Sequence, residues 1–286
     1  MKILITGING YIGSNLKNVL KKKNNKIFGI KSKTSVKDYN KLIRDNIKPD
    51  VIIHCAGSGL VGVNQISSYI HKKKNIDSTK QLIKFIKKSN IYGSKIIFLS
   101  SQAVYGKINS KKISENNLTK PISAYGKTKL LAEKELKKIN YNYIIILRLF
   151  SIYGIGLRKQ IIWDACCKFK KNNYFFRGNG LEKRDFLSIK DFNNLIKLII
   201  MNKNPITSIY NVGSGVGTQI KNLVNYIKVE FKIKNKINYT GNPNIIENQN
   251  YISSNGKIRK KFNWKCTSKL KIEIKKYVKW FKKNIN

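Results

Sequence analysis

The run KILIT (residues 2–6) ends in TGINGYIG (6–13), and an amphipathic stretch near 14–23 follows. A strand-length apolar run, a glycine turn and the opening of a helix thus stand in direct succession. Gly7, Gly10 and Gly13 allow a tight turn and let the backbone come close to a pyrophosphate, which the helix N-terminus then stabilises. Glycines also end ordinary strands, so the spacing alone is a weak signal. The strand–turn–helix context, beginning at residue 6, makes it a dinucleotide-binding turn.

The rest of the first half repeats that rhythm. KIFGI (26–30), DVIIHCA (50–56), KIIFLS (95–100) and YIIILRLF (143–150) read as buried strands, rich in Ile and bounded by turn signals. Amphipathic stretches lie between them near 38–46, 66–88 and 123–139. Strands alternating with helices predict an α/β fold, a doubly wound parallel sheet of Rossmann type with helices on both faces. After about residue 150 the rhythm loosens into loops and short elements. A last helix, over roughly 268–283, is expected to turn Leu270, Ile274, Val278 and Trp280 inward. The division expected is a nucleotide-binding domain over 1–154 with a returning segment near 186–213. A smaller interleaved lobe is expected from 155–185 and 214–286.

The 286 residues carry 58 Lys and Arg against 14 Asp and Glu, a formal net charge of +44. Alone, that balance points to nucleic acid or an anionic membrane surface. Two features weigh against it. Only Arg44, Arg148, Arg158, Arg177, Arg184 and Arg259 are arginines, and arginine is the better bidentate reader of phosphate. The lysines are also scattered through every segment among many Asn and Ile residues, as an AT-rich coding bias would scatter them. Nucleic acid is therefore not the expected partner. No membrane span is expected, because the most apolar run, YIIILRLF, is of strand length and holds Arg148. MKILITG lacks the long apolar run and small-residue cleavage site of a leader. Cys55, Cys166, Cys167 and Cys266 show no metal-ligand spacing, so no metal is expected, and the thiols are expected reduced, in the cytoplasm.

Two stretches carry reactive groups. FLSSQAVYG (98–106) closes a strand with Ser100 and Ser101 at the carboxyl edge of the sheet, where such folds bind ligands. SAYGKTK (123–129) opens a helix with Tyr125 and Lys129 one turn apart on one face. Taken singly, each has a bland reading: serines cap strand ends, tyrosines half-bury at helix entries, and lysines are everywhere in this chain. Taken together they make a set. Ser101 would hydrogen-bond a carbonyl, Tyr125 would deliver the proton, and Lys129 would favour the phenolate and lower the tyrosine pKa.

With that set in place, the chain resembles the extended short-chain dehydrogenases/reductases that act on nucleotide sugars, the NAD-dependent epimerase/dehydratase group. The likeness covers nearly the whole length. It runs through the glycine turn, IIHCAG (52–57), Asn75 ahead of Ser78 and Thr79, SSQAVYG, AYGKTKLLAE (124–133) and RLFSIYG (148–154). It continues in GNGLEKRDFLSIKDF (178–192), YNVGSG (210–215) and FNWK (262–265). The resemblance implies that Ser101, Tyr125 and Lys129 are catalytic. It implies cofactor contacts from Gly7, Asn9, Gly10, Tyr11, Ile12, Gly13, Cys55, Ala56, Gly57 and Asn75, with Tyr125 and Lys129. It implies substrate contacts from Ser101, Gln102 and Ser151, and Arg184 on the nucleotide-sugar diphosphate. A homodimer formed through a four-helix bundle, from the stretches near 66–88 and 123–139, follows from it too.

The departures narrow the chemistry. Sugar dehydratases of the group carry an Asp-Glu pair just after the catalytic hydroxyl, where this chain has Gln102 and Ala103. Epimerase-reductases resembling GDP-fucose synthase carry a cysteine at the second place, and Ala103 cannot replace it. Ser151 stands where the group has Asn. Hydride chemistry at one carbon remains. The expectation is an NAD(P)-dependent oxidoreductase reducing a 4-keto nucleotide sugar for surface-polysaccharide assembly. The alternative is an NAD-retaining 4-epimerase, and from a different class a non-catalytic Rossmann scaffold or nucleic-acid binder. Cofactor choice is read at the end of the second strand, where NAD-preferring folds place an acid for the ribose. In KIFGIKSKTS (26–35) that place is Lys31, followed by Ser32, with no acid before Asp38, so NADP(H) is expected over NAD(H).

Overall fold

The computed structural model describes residues 1–21, 24–31, 35–58, 68–108, 110–139, 141, 143–204, 206–241 and 250–285. The chain opens with β1 (Lys2–Thr6), α1 (Tyr11–Lys21), β2 (Lys26–Ile30), α2 (Ser35–Arg44) and β3 (Val51–His54). α3 (Ser68–His71), a π-helical turn (Lys72–Asp77), α4 (Ser78–Lys88) and β4 (Lys95–Ser101) follow. A 3-10 turn (Gln102–Val104) leads to α5 (Ala124–Lys137) and β5 (Ile144–Leu149). Next come β6 (Ser151–Tyr153), α6 (Gln160–Lys170), β7 (Phe175–Phe176), β8 (Lys183–Ser188), α7 (Ile189–Met201) and β9 (Ser208–Val212). The chain closes with β10 (Gly217–Gln219), α8 (Ile220–Phe231), β11 (Asn238–Tyr239), α9 (Gly256–Phe262) and α10 (Leu270–Asn284).

Two compact units divide these elements. The first comprises Met1–Gly106, Glu115–Leu149 and Leu195–Asn211, and the second Lys107–Ser114, Phe150–Asn194 and Val212–Asn286. The first unit holds a six-stranded sheet in the order β2-β1-β3-β4-β5-β9. β1 runs parallel to β2 and β3, β3 to β4, and β4 to β5. Helices on both faces leave these strands no wet side, which is why they read as unbroken Ile and Leu runs. Ile3, Leu4, Ile5, Ile52, Ile53, Ile96 and Ile97 are all fully buried. Leu82, Phe85 and Ile86 of α4 and Ala132 and Leu136 of α5 pack on Leu4, Ile52, Ile96 and Ile146. Each such Leu, Ile or Phe side chain is worth roughly 1.5–3 kcal/mol in apolar burial. The order reverses between β1 and β3, so their carboxyl ends flank the switch point at which ligands bind in open α/β sheets.

One buried cation belongs to this scaffold. Lys95, at the start of β4, donates to the carbonyls of Ile199, Ile200 and Asn202 at 2.7, 2.8 and 2.6 Å. It thereby closes the C-terminal end of α7, whose last carbonyls have no partner within the helix.

In the second unit β8 pairs antiparallel with β10 and parallel with β6, and β11 pairs with β7. Its core gathers Tyr153, Phe169, Phe176, Phe186, Leu223, Ile227, Tyr277 and Phe281. α10 buries Ile274, Tyr277, Val278 and Phe281, while Leu270 and Trp280, expected inward, pack only at the margin of that core.

Candidate functional site

At the carboxyl end of β1 the chain turns through Gly7, whose φ of 65° lies in the left-handed region. The Gly7 N–H donates to the Ile30 carbonyl at 2.9 Å, and the Gly10 N–H returns to the Gly7 carbonyl at 2.9 Å. A Cβ on Gly13 would sit 2.3 Å from the Gly7 carbonyl oxygen, so only glycine lets α1 pack this close to the turn. Asn9 and Gly10 are exposed at the tip, and Tyr11 and Ile12 are half-buried in the first turn of α1. The N–H groups of a first helical turn lie at the sheet's switch point, an arrangement suited to a pyrophosphate.

Beside it, β3 ends at His54, and Cys55, Ala56 and Gly57 lead away from the strand. The Ala56 N–H donates to Thr6 Oγ1 at 3.1 Å, and Thr6 Oγ1 lies 2.6 Å from His54 Nδ1. His54 Nε2 lies 2.9 Å from Thr79 Oγ1, which donates to the Asn75 carbonyl at 2.7 Å. Because the Thr79 proton is committed to that carbonyl, Nε2 carries the His54 proton and Nδ1 accepts from Thr6. Burial pushes this ring's pKa down to about 3, and Lys129 adds to the effect. Asn75, inside the π-helical turn, accepts from the Ser58 N–H at 3.1 Å and donates to Thr128 Oγ1 at 2.9 Å. One hydrogen-bonded line therefore runs from the end of β1 to α5.

α5 is capped by Ser123, whose hydroxyl accepts from the Gly126 N–H at 3.0 Å. A Cβ on Gly126 would lie 2.3 Å from the Ala103 carbonyl oxygen, so glycine is what lets α5 lie against the turn that follows Ser101. That approach brings Tyr125 beside Ser101, whose Oγ accepts from the Ala103 N–H at 3.2 Å. Lys129, one turn further, is only 4% exposed. Its ammonium donates to the Leu99 carbonyl at 2.8 Å and lies 5.0 Å over the Phe98 ring. A Cβ on Gly57 would meet both Asn75 Oδ1 and Lys129 Nζ at 2.8 Å. Behind them Glu133 accepts from Arg148 Nε at 3.1 Å and Nη2 at 2.8 Å, and from the Ser100 hydroxyl.

Burial raises the Tyr125 phenol above its ordinary value, and the Ser101 hydroxyl beside it opposes the shift. Burial also lowers the Lys129 ammonium to about 8, against Cys55 and Glu133, which raise it. The expectation that Lys129 lowers the tyrosine pKa is corrected here. The ammonium is turned to the Leu99 carbonyl, and burial sets the direction for the phenol.

Two further groups have no counterpart in the motifs read from sequence. The ring of His71 lies 5.9 Å from that of Tyr125, and burial followed by Lys74 lowers its pKa. The only sequence signal was scarcity, since the chain has 2 histidines and both are buried in this unit. At the end of β2 the N–H of the exposed Lys31 donates to Asp38 Oδ2 at 2.8 Å. A carboxylate thus reaches the strand end from the first turn of α2. Ser32 lies outside the described residues. His71 Nδ1, Ser58 Oγ and Gln102 Oε1 are buried atoms with no hydrogen-bond partner among the described residues. Buried polar atoms are ordinarily paired, so these three, flanking Asn75, Tyr125 and Ser101, fit a polar ligand, as the glycine turn fits a dinucleotide.

In the second unit Ser151 opens β6 opposite Phe186 of β8 and is half-buried. Arg184, also on β8 and half-buried, holds its guanidinium 5.0 Å over the Tyr251 ring. Among the described residues, no group of three or more His, Cys, Asp or Glu could hold a metal, and no helix is long and apolar enough to cross a membrane.

A parallel sheet with a glycine turn at its switch point defines the class as a Rossmann-type dinucleotide fold. Residues 3–213 match the NAD dependent epimerase/dehydratase family, and the chain belongs to that family. It is 27% identical to the Bacillus subtilis protein named uncharacterized UDP-glucose epimerase YtcB, over 80% of this chain and 81% of that one. It is 28% identical to the GDP-6-deoxy-D-talose 4-dehydrogenase of Aggregatibacter actinomycetemcomitans, over 77% of this chain and 76% of that one. Among solved structures, the UDP-glucose 4-epimerase of Thermotoga maritima with UDP-glucose superposes with a TM-score of 0.87, at 22% identity and 100% of both chains. The Bordetella bronchiseptica enzyme WbmG with NAD and UDP gives 0.85, at 22% identity over 99% of this chain and 94% of that one. At such identities the likeness to these structures is one of fold.

Proposed function

We propose that the protein moves a hydride between a nicotinamide cofactor and C4 of a nucleotide-linked sugar, interconverting its hydroxyl and keto forms. The observation that carries this reading is that α5 lies against the turn after Ser101, with Ser101, Tyr125 and Lys129 all buried and the glycine turn in the same sheet. Gly7, Asn9, Gly10, Tyr11, Ile12 and Gly13 hold the dinucleotide's diphosphate, and Cys55, Ala56, Gly57, Asn75, Tyr125 and Lys129 line the rest of it. When bound, the nicotinamide supplies or takes up the hydride. Ser101 orients the sugar oxygen, with Gln102 beside it. Tyr125 gives that oxygen a proton as the carbonyl is reduced and takes one as the hydroxyl is oxidised. A phenol raised by burial is protonated at neutral pH, and Lys129, with a pKa of about 8, is suited to resupply it. Arg184 takes the substrate diphosphate, and Ser151 gives a further polar contact. With Gln102 and Ala103 in place of an acid pair, the reaction stops at hydride and proton transfer.

Asp38 favours the NAD-retaining 4-epimerase among the two uses of this chemistry. A carboxylate at the end of β2 accepts from ribose hydroxyls and repels a 2′-phosphate, and WbmG is seen with NAD. The second reading is the NADPH-consuming 4-keto reductase, favoured by Lys31 at the same strand end, and one relative, named a GDP-6-deoxy-D-talose 4-dehydrogenase, accords with it. In either case a homodimer through α4 and α5, working in the cytoplasm towards surface polysaccharide, belongs to the proposal. Mass spectrometry of the nucleotide carried by native protein separates the two. Retained NAD supports the epimerase, and an empty site that takes NADPH more tightly than NADH supports the reductase. Tyr125→Phe keeps the ring and removes the proton, so turnover should fall by about two to four orders of magnitude with cofactor affinity unchanged. Turnover above about half of wild type would remove Tyr125 from the chemistry.

A further inference from the structure

His71 closes α3, and Asn75 follows four residues later in the π-helical turn, about one turn on and on the same face. Both are buried, His71 at 5% exposure and Asn75 at 1%. Asn75 is tied into the protein. Its side chain accepts from the Ser58 N–H and donates to Thr128 Oγ1, and its carbonyl accepts from the Thr79 hydroxyl. The polar atoms on either side of it are not tied. His71 Nδ1 and Ser58 Oγ are buried without a hydrogen-bond partner among the described residues, and Ser58 is also only 5% exposed. An unpaired buried polar atom destabilises the fold, so two of them around one side chain mark a place where a partner comes from outside the chain.

The surroundings narrow that partner. The His71 ring lies 5.9 Å from the Tyr125 ring, tilted 54° to it. Gly57, next to Ser58, has no room for a Cβ, which would meet Asn75 Oδ1 and Lys129 Nζ at 2.8 Å. All these residues belong to the unit that carries the glycine turn. Gly57, Asn75, Tyr125 and Lys129 are also the ones read above as lining the dinucleotide beyond its diphosphate. Because Tyr125 serves the carbon that exchanges hydride, the end of the dinucleotide beside it is the nicotinamide end. Burial, followed by Lys74, lowers the His71 pKa, so the ring is neutral at neutral pH and offers one donor and one acceptor nitrogen.

We infer that His71 is a cofactor-binding residue, whose Nδ1 pairs with a hydrogen-bonding group of the nicotinamide riboside, either a ribose hydroxyl or the carboxamide. The inference rests on the dinucleotide reading of this unit. An atom that destabilises the empty protein becomes a contact in the complex, so binding gains a hydrogen bond without breaking one inside the chain.

Titration calorimetry of the nucleotide-free full chain tests both levels, with the tighter-binding of NAD and NADP, with ADP-ribose and with ADP. Wild type that takes up neither dinucleotide would overturn the dinucleotide reading and the inference together. Given binding, His71→Phe keeps a ring against Tyr125 and removes both nitrogens. Its dinucleotide affinity should fall by about two- to thirteen-fold, the net worth of one hydrogen bond. Its ADP affinity should match that of wild type, since ADP lacks the nicotinamide half. ADP-ribose separates the two groups: a loss that persists with it marks a ribose hydroxyl, and a loss that vanishes marks the carboxamide. Unchanged dinucleotide affinity, or an equal loss for dinucleotide and ADP, would show a merely structural histidine and overturn the inference while leaving the dinucleotide reading in place. A second pair of variants serves where phenylalanine disturbs folding. Asn sets an amide atom near the place of Nδ1 and Gln near that of Nε2, so His71→Asn should keep more of the affinity than His71→Gln. The reverse order would move the contact to Nε2 and overturn the inference.

Discussion

His54 shows how a single residue can tie the end of β1 to a helix packed on the sheet. Its ring is polarised in one direction, from Thr6 to Thr79, and a proton on Nδ1 would face a donor rather than an acceptor. The unfolded chain takes a proton on this ring below about pH 6.5, the folded chain only near about 3. Between those values the unfolded state binds more protons, so stability falls as pH drops through that window. His54→Gln removes the titration, and its urea midpoint should change less between about pH 7 and 4.5 than that of wild type. Equal slopes would clear His54 of any part in acid sensitivity. Residues of this kind are the least legible in sequence. Tyr125 and Lys129 announce themselves because one helical turn separates them on the chain. Asp38 and His71 reach the site through tertiary placement, and no local spacing marks them.

Among the elements, β1 to β5 were legible because strands buried on both faces must be continuously apolar. The stretch 66–88 was not. It reads as one amphipathic run, yet it breaks into α3, a π-helical turn and α4, and the widened turn is where Asn75 sits buried. The strands of the second unit run to between two and six residues and pair across distant segments, too short for periodicity to register. α5 also carries an element-scale prediction. Gly126→Ala puts a methyl group against the Ala103 carbonyl, a backbone atom that cannot swing aside. The helix must move back, so the Ser101–Tyr125 contact should loosen and turnover fall at least tenfold while circular dichroism stays that of the wild type; displacements of about 1 Å can cost that much and more. Unchanged turnover would mean that the contact tolerates the shift.

For the whole molecule, the net charge of +44 draws dinucleotides and nucleotide sugars towards every face, and salt screens that attraction. The faces that would form a four-helix bundle feel the same charge as repulsion. Lys80, Lys84 and Lys87 on α4 and Lys127, Lys134 and Lys137 on α5 are all exposed. Raising salt from about 0.05 to 0.5 M should therefore weaken nucleotide binding and strengthen self-association at once. Sedimentation velocity beside binding isotherms reads both. A dimer that dissociates as salt rises would place its contact on some other face.

The order of the central sheet also sets an order of manufacture. β9 lies against β5, yet residues 150–207 are made between them, and the carbonyls that receive the Lys95 ammonium come just before β9. At the usual pace of synthesis that interval lasts about 3 to 12 seconds. For that time β5 is an open edge on the ribosome, the kind of surface to which a neighbouring nascent chain pairs. A chain so rich in lysine repels its own copies while the edge waits for its last strand.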